Sequence, residues 1–501
     1  MPETTTRAIP LWLLVGLQGV VSAASLVVEI VAGRMLAPHV GMSLHTWTAV
    51  IAVVLAGFSA GHWWGGRIAG RPVRDALRWT GGATLAAAAT TAGAVVLLPL
   101  AAGPVLAAVP QPVWGITALT AAVFFLPSFF AGVPAPVLAQ VAIASTDRTG
   151  PALGAMFAAG AVGAIAGTLL AGFLFIAWLG STATLAVVVA VYALGGLLLL
   201  WLGRWTSGAP ERAAVALCLL LAGLAAMAEG PCDVESQYFC LRVEDVSADP
   251  SDPVRLLAID HLAHGIGAAR LPTVQFTEHA AMLDRLSRLR APRPDFTSFH
   301  IGGGTYSVPR AFAARGAGAI TVAEIDPAVT RMAAGSFWFD PATATVLHED
   351  ARRALARRPE AFDVILGDAF TDVVVPVHLV TREFFALAAD RLEPGGSFLM
   401  NVIDHEDRLR ALASVVATMR TAFPVVEVWT EQRRPAPGER LVFVVVGGTA
   451  RTPVDGFVAP APAETRFAAL GEGMIDRLVA ERGMVLTDDH APIDRLMGRV
   501  D

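Results

Sequence analysis

Seven uninterrupted apolar stretches crowd into the first 230 of 501 residues, and they commit that part of the chain to helices inside a bilayer. A helix needs roughly 20 apolar residues to cross a hydrocarbon core about 30 Å thick. Bounded by Arg, Pro or Gly clusters, the stretches lie near 11–32, 46–64, 80–100, 113–133, 153–178, 182–202 and 213–228. The first is long for a cleaved signal and has one Arg in its N-terminal flank, so it is expected to remain as an anchor. Charge then changes abruptly. Residues 1–230 carry 6 Asp/Glu and 9 Arg; residues 231–501 carry 37 and 28. One chain is therefore built for two solvents, with a domain order of 1–230, a small β-region and linker at 231–295, and a core at 296–501. The charged half is net acidic by nine, which repels phosphate and argues against a nucleic-acid partner.

Small residues recur within the apolar stretches, and Gly154, Gly160, Gly163, Gly167 and Gly172 are spaced to let helices approach closely in lipid. Glu29 is a costly residue inside a spanning helix, so it should face the bundle interior and a partner such as Arg34 or His45. With seven spans, Arg7, Arg67, Arg71, Arg74, Arg78, Arg148, Arg204 and Arg212 fall on one face and Arg34 alone on the other. The Arg-rich face is the cytoplasmic one by the positive-inside rule, which sends the charged half outside. The expected location is the cell membrane, multi-pass. The charged half is nonetheless expected on the cytoplasmic face, against the Arg distribution. Cys232 and Cys240 follow the last stretch and are either a disulfide on the oxidising side or two buried thiols.

From residue 232 short aliphatic runs alternate with Arg-rich amphipathic segments, the signature of an α/β domain. Strands are expected at 255–259, 297–301, 319–323, 345–347, 363–366, 397–402, 425–429 and 441–446, with helices at 308–315, 327–334, 382–391 and 408–421. A mostly parallel, doubly wound, Rossmann-like sheet of methyltransferase type follows. In such sheets ligands bind beyond the carboxyl ends of the strands. Gly302, Gly303 and Gly304 close the first core strand, Glu324 the second, and Asp350 and Asp368 follow the third and fourth. An acid about 20 residues after a glycine turn is suited to accept hydrogen bonds from ribose hydroxyls. Ser307 stands where the last glycine of a dinucleotide fingerprint would be, which points to a mononucleoside.

Ile301-Gly-Gly-Gly-Thr-Tyr-Ser-Val-Pro-Arg310, Ala323-Glu-Ile-Asp-Pro-Ala-Val329, His348-Glu-Asp-Ala-Arg352 and Asp363-Val-Ile-Leu-Gly-Asp-Ala-Phe370 resemble the successive motifs of spermidine synthases, the polyamine aminopropyltransferases. The order of membrane half and charged half resembles their membrane-fused branch. The resemblance implies a transferase that uses decarboxylated S-adenosylmethionine or S-adenosylmethionine as co-substrate and a small-molecule amine as acceptor. Its further partners would be the lipid bilayer and a second copy of the chain in a homodimer. It assigns Gly302, Gly303, Gly304 and Thr305 to the nucleoside arm, Glu324 to the ribose, Asp350 and Ala351 to the adenine, and Asp368 to acid–base catalysis. Asp260, His264, His279 and Asp372 would bind the amine. Thr305 stands where soluble members place an Asp for the amine of the transferred arm. That change opens a second reading, a methyltransferase using S-adenosylmethionine. A transporter or sensor with a nucleoside- or polyamine-binding domain is a third. His378, His405 and His490 lack neighbours at ligand spacing, so no metal is expected. Asp488-Asp489-His490 is expected to cap a C-terminal helix.

Overall fold

The computed structural model describes residues 9–203, 230–370, 375–461 and 464–497, with the single positions 216, 220, 223 and 227. The chain divides into two compact units, Met1–Cys240 and Leu241–Asp501.

In the first unit helices α1 (Leu11–Val40), α2 (Leu44–Ala69), α3 (Val73–Ala108), α4 (Pro112–Gly132), α5 (Pro134–Ala144), α6 (Thr149–Leu170) and α7 (Ile176–Leu202) form an apolar bundle. Glycines set the closest contacts. A Cβ on Gly163 would lie 2.1 Å from the Gly19 carbonyl oxygen, and one on Gly167 would lie 2.2 Å from that of Ala23, so α1 and α6 touch backbone to backbone. Gly57, Gly61 and Gly65 form the same kind of seam between α2 and the 125–136 stretch, and Gly81 meets Gly196 between α3 and α7. Gly154 and Gly172 face open space, so two of the five glycines singled out pack no neighbour.

Seven spans are not confirmed among the described residues. Among the described residues five helices are long and apolar enough to cross a membrane, the last of them a 54-residue run from Thr149 to Leu202. That run takes in two expected stretches, because the backbone passes from α6 through a π-helical turn at Ala171–Phe175 into α7. Gly180, at φ 75° and ψ 173°, breaks α7 between the two stretches. The stretch at 213–228 falls almost wholly outside the described residues.

Glu29 and Arg34 do not pair. Residues five apart point about 140° away from each other around a helix, whereas neighbours are three or four apart. Arg34 is buried and instead gives its guanidinium to the backbone carbonyls of Ser236 and Tyr238, with Glu235 at 3.8 Å. Glu29 makes no hydrogen bond or ion pair among the described residues, and His45 does not meet it. Cys232 and Cys240 are joined in a disulfide that closes a loop containing the short strand β1 (Val234–Glu235). Glu235 in that loop accepts hydrogen bonds from the backbone N–H and the hydroxyl of Ser181.

The second unit opens with antiparallel strands β2 (Cys240–Asp245), β3 (Val254–Ile259) and β4 (Leu262–Ala268). Helix Glu278–Arg290 leads to the main sheet. Its strands are β5 (Ser298–Ile301), β6 (Ile320–Ala323), β7 (Thr345–Leu347), β8 (Phe362–Gly367), β9 (Leu392–His405), β10 (Val425–Glu431), β11 (Arg440–Gly448), β12 (Gly456–Val458) and β13 (Arg466–Ala469). The order across the sheet is β12-β13-β10-β11-β9-β8-β5-β6-β7. From β7 to β9 neighbours run parallel; from β9 to β12 they run antiparallel. The sheet is thus mixed, and the expectation of a mostly parallel one is corrected. The segment 432–439 between β10 and β11 is too short for a crossover helix, so the two strands must pair as a hairpin. Asp488 caps no helix: it forms a two-pronged ion pair with Arg352 at 2.7 Å and accepts the hydroxyl of Thr381. The Arg352 hydrogen bonds pull its carboxyl down to about 2.

Candidate active site

After β7 the chain returns to the opposite side of β5, so the strand order reverses between β5 and β8. The crevice at such a reversal is where open α/β sheets bind ligands. Ile301 and Gly367 end these two strands side by side, and the residues just beyond them build the site.

Gly302 has a φ of 92°, and a Cβ there would lie 2.5 Å from the carbonyl oxygen of Asp368. Only glycine suits both conditions. A Cβ on Gly303 would collide with the ring of Tyr306. That ring is fully buried, stacks on Phe339 and hydrogen-bonds Thr330 through its hydroxyl at 2.7 Å. Burial pushes the Tyr306 phenol above its ordinary value. Glu324, buried at the end of β6, accepts the N–H of Gly303 at 2.8 Å and that of Asp326 at 2.9 Å. Burial raises its carboxyl above the ordinary range, against the pull of those two N–H groups. The carboxylate thereby fastens the glycine turn to the next strand.

Asp368 follows β8 and has two differently engaged oxygens. Asn401 on β9 donates to Oδ1 at 2.8 Å, and His279 Nε2 lies 3.7 Å from Oδ2. Asn401 is buried, and its own Oδ1 has no hydrogen-bond partner among the described residues. His264 from β4 lines the same cleft with His279, the glycine turn, Thr305 and Asp368. Loss of water around the His264 ring drops its pKa to about 4, with Asp368 pulling the other way. His300 on β5 lines it too, is held at about 3 by burial, and bonds Ser298. His264 and His300 are therefore neutral at neutral pH, and both line the cleft with Asp368.

The cleft brings together Gly302, Gly303, Gly304, Thr305, His264, His279 and Asp368, with Glu324 bonded to its glycine edge. Thr305 is buried against Gly265 on β4. Asp350 and Ala351 stand two strands away, beyond β7. There Asp350 caps helix Ala351–Arg357 through the Arg353 N–H and pairs with His378 at 2.7 Å. Asp260 sits in the turn between β3 and β4 with a φ of 53° and does not line the cleft. Asp372 lies outside the described residues. Sequence reasoning missed Asn401, although a lone amide in the middle of the buried run Phe398-Leu-Met-Asn-Val402 was a usable signal. Among the described residues no cluster of His, Cys, Asp or Glu is placed to hold a metal ion.

No family model matches the chain. A probable polyamine aminopropyl transferase of Bifidobacterium longum is 36% identical over 83 residues, 17% of this chain and 18% of that protein. The polyamine aminopropyltransferase of Vibrio vulnificus is 33% identical over 127 residues, 23% and 42% of the two chains. Over these segments the chain is similar to polyamine aminopropyltransferases. An N-terminal histidine N-methyltransferase of Emericella nidulans is also 31% identical over 163 residues, 31% of this chain and 28% of that one. The chain spans less than half the length of each of these curated relatives. Among solved structures, a probable spermidine synthase from Corynebacterium glutamicum gives a TM-score of 0.44 at 22% identity, covering 50% of this chain and 94% of that one.

Proposed function

We propose that the chain is a membrane-embedded aminopropyltransferase that moves the aminopropyl group of decarboxylated S-adenosylmethionine to an amine such as putrescine. The acceptor nitrogen's lone pair attacks the carbon next to the sulfonium. The C–S bond breaks, its electrons return to sulfur, and methylthioadenosine leaves. The acceptor then sheds one proton. Since a sulfonium is already a good leaving group, the protein's task is alignment and removal of that proton. Asp368 carries the reading: it lines the cleft with its Oδ2 3.7 Å from His279 Nε2, while Asn401 holds Oδ1. Asn401 is a positioning residue in this scheme. Glu324 and the glycine turn would hold the nucleoside, Asp350 and Ala351 the adenine end, and His264 and His279 the amine side. The bilayer is proposed as the bundle's solvent, and a homodimer as its assembly.

Binding and turnover of the full-length chain in nanodiscs separate these roles. Asp368→Asn should bind the nucleoside within about twofold of the parent and lose about 10²–10⁴-fold in turnover. Wild-type turnover in that variant contradicts the assignment.

A second reading, a methyltransferase using S-adenosylmethionine, has one feature in its favour. Thr305 brings no charge to the cleft and rests against Gly265, so the transferred group need not carry an amine.

A further inference from the structure

The ends of the helix bundle differ in charge. Gly163 against Gly19 and Gly167 against Ala23 show α1 and α6 running parallel, while Gly81 against Leu200 and Gly196 against Leu85 show α3 and α7 antiparallel. These directions gather Arg67, Arg71, Arg74, Arg78 and Arg148 at one end, where Arg67 and Arg71 lie over the rings of Trp63 and Trp79. Gly203, after α7, packs against Arg74 and Arg78 at that same end. The opposite end holds the close of α1 and the break at Gly180. There Arg34 bonds the carbonyls of Ser236 and Tyr238, Ser181 bonds Glu235, and Gly230 packs beside Thr182. The loop closed by Cys232–Cys240 thus sits at the Arg-poor end, held there by two independent polar anchors.

Arg-rich loops stay in the cytoplasm. Disulfides form and persist on the oxidising side and are rare in reducing cytosol. Both observations point the same way, and neither depends on the other. We infer that the Cys232–Cys240 bond is a covalent modification made outside the cytoplasm, and that the α/β unit works on that same face. Leu241 follows Cys240 directly, and none of the described helices after it is long and apolar enough to return across a membrane. The site therefore draws its sulfonium nucleoside and amine from the non-cytoplasmic side, so an export or external-supply step must precede it. The cytoplasmic face expected from cofactor supply is the opposing outcome.

The test needs no activity, so its failure is distinct from failure of the transferase reading. The full-length chain is fused at its C-terminus to alkaline phosphatase, which is active only after export, and in parallel to a fluorescent protein that is bright only in the cytoplasm. The inference expects an active phosphatase and a dark fluorescent fusion; the reverse overturns it. Peptide mapping of the unfused chain, alkylated at cell lysis, is expected to recover Cys232 and Cys240 as one cross-linked pair. Recovery of both as alkylated thiols overturns it as well.

Discussion

One oxygen of Asp368 is held by a buried amide and the other faces an imidazole, so its chemistry is sensitive to what replaces either neighbour. Asn401→Asp would set a second carboxylate 2.8 Å from the first, and two such groups cannot both ionise freely. The acid limb of the pH–rate profile should move to higher pH by at least one unit, while nucleoside affinity stays within about twofold. An unmoved limb denies Asn401 its positioning role. His264 and His300 make a separate prediction. The fold holds their pKa values at about 4 and about 3, below the ordinary imidazole value, so it binds fewer protons on them than the unfolded chain does. The stability they confer is complete above the ordinary pKa of about 6.5 and is lost as pH falls from there towards 4 and then 3. Melting midpoints between pH 7.5 and 4.5 should decline, and His300→Gln should flatten the decline; a flat wild-type profile contradicts this. At this scale the glycines, Glu324 and Asp368 were legible, because strand ends followed by Gly or an acid mark a binding rim. Asn401 was not, because its role arises from a strand far along the chain. Asp260 occupies a turn and Asp350 is engaged by His378, two placements that neighbours in sequence do not reveal.

Helix seams are decided by single missing side chains. Gly163→Val would drive a side chain into the Gly19 backbone and push α1 from α6, whereas Gly154→Ala meets nothing within 4 Å. Overpacking of this kind costs about 1–3 kcal/mol. The first variant should lower the melting midpoint in detergent, and the second should leave it unchanged; equal behaviour of the two would count against the seam. The alternation of strand and helix from β5 to β9 was readable because each buried run ends in turn residues and is followed by an amphipathic segment. Strand direction beyond β9 was not, since the runs at 425–429 and 441–446 look alike in either sense. The eight residues between β10 and β11 decide it. β2 and β4 escaped notice because Cys240-Leu-Arg-Val-Glu-Asp245 is charged and Leu262–Ala268 contains two glycines.

Two units of different composition explain why one average misleads. The apolar unit buries small residues against one another, and the charged unit sets glycines and acids at a strand reversal. That division was visible in the charge break alone. Helical character continues past Leu170 through a π-helical turn into α7, and Gly180 breaks it between the stretches read at 153–178 and 182–202. The central claim, that the charged unit moves an aminopropyl group, is tested most directly by product identity. The full-length protein in nanodiscs is supplied with decarboxylated S-adenosylmethionine or S-adenosylmethionine and a panel of amines, and the released nucleoside is identified by mass spectrometry. Methylthioadenosine, amine-dependent and absent with Asp368→Asn, is the predicted result. S-adenosylhomocysteine without methylthioadenosine for any amine would contradict it.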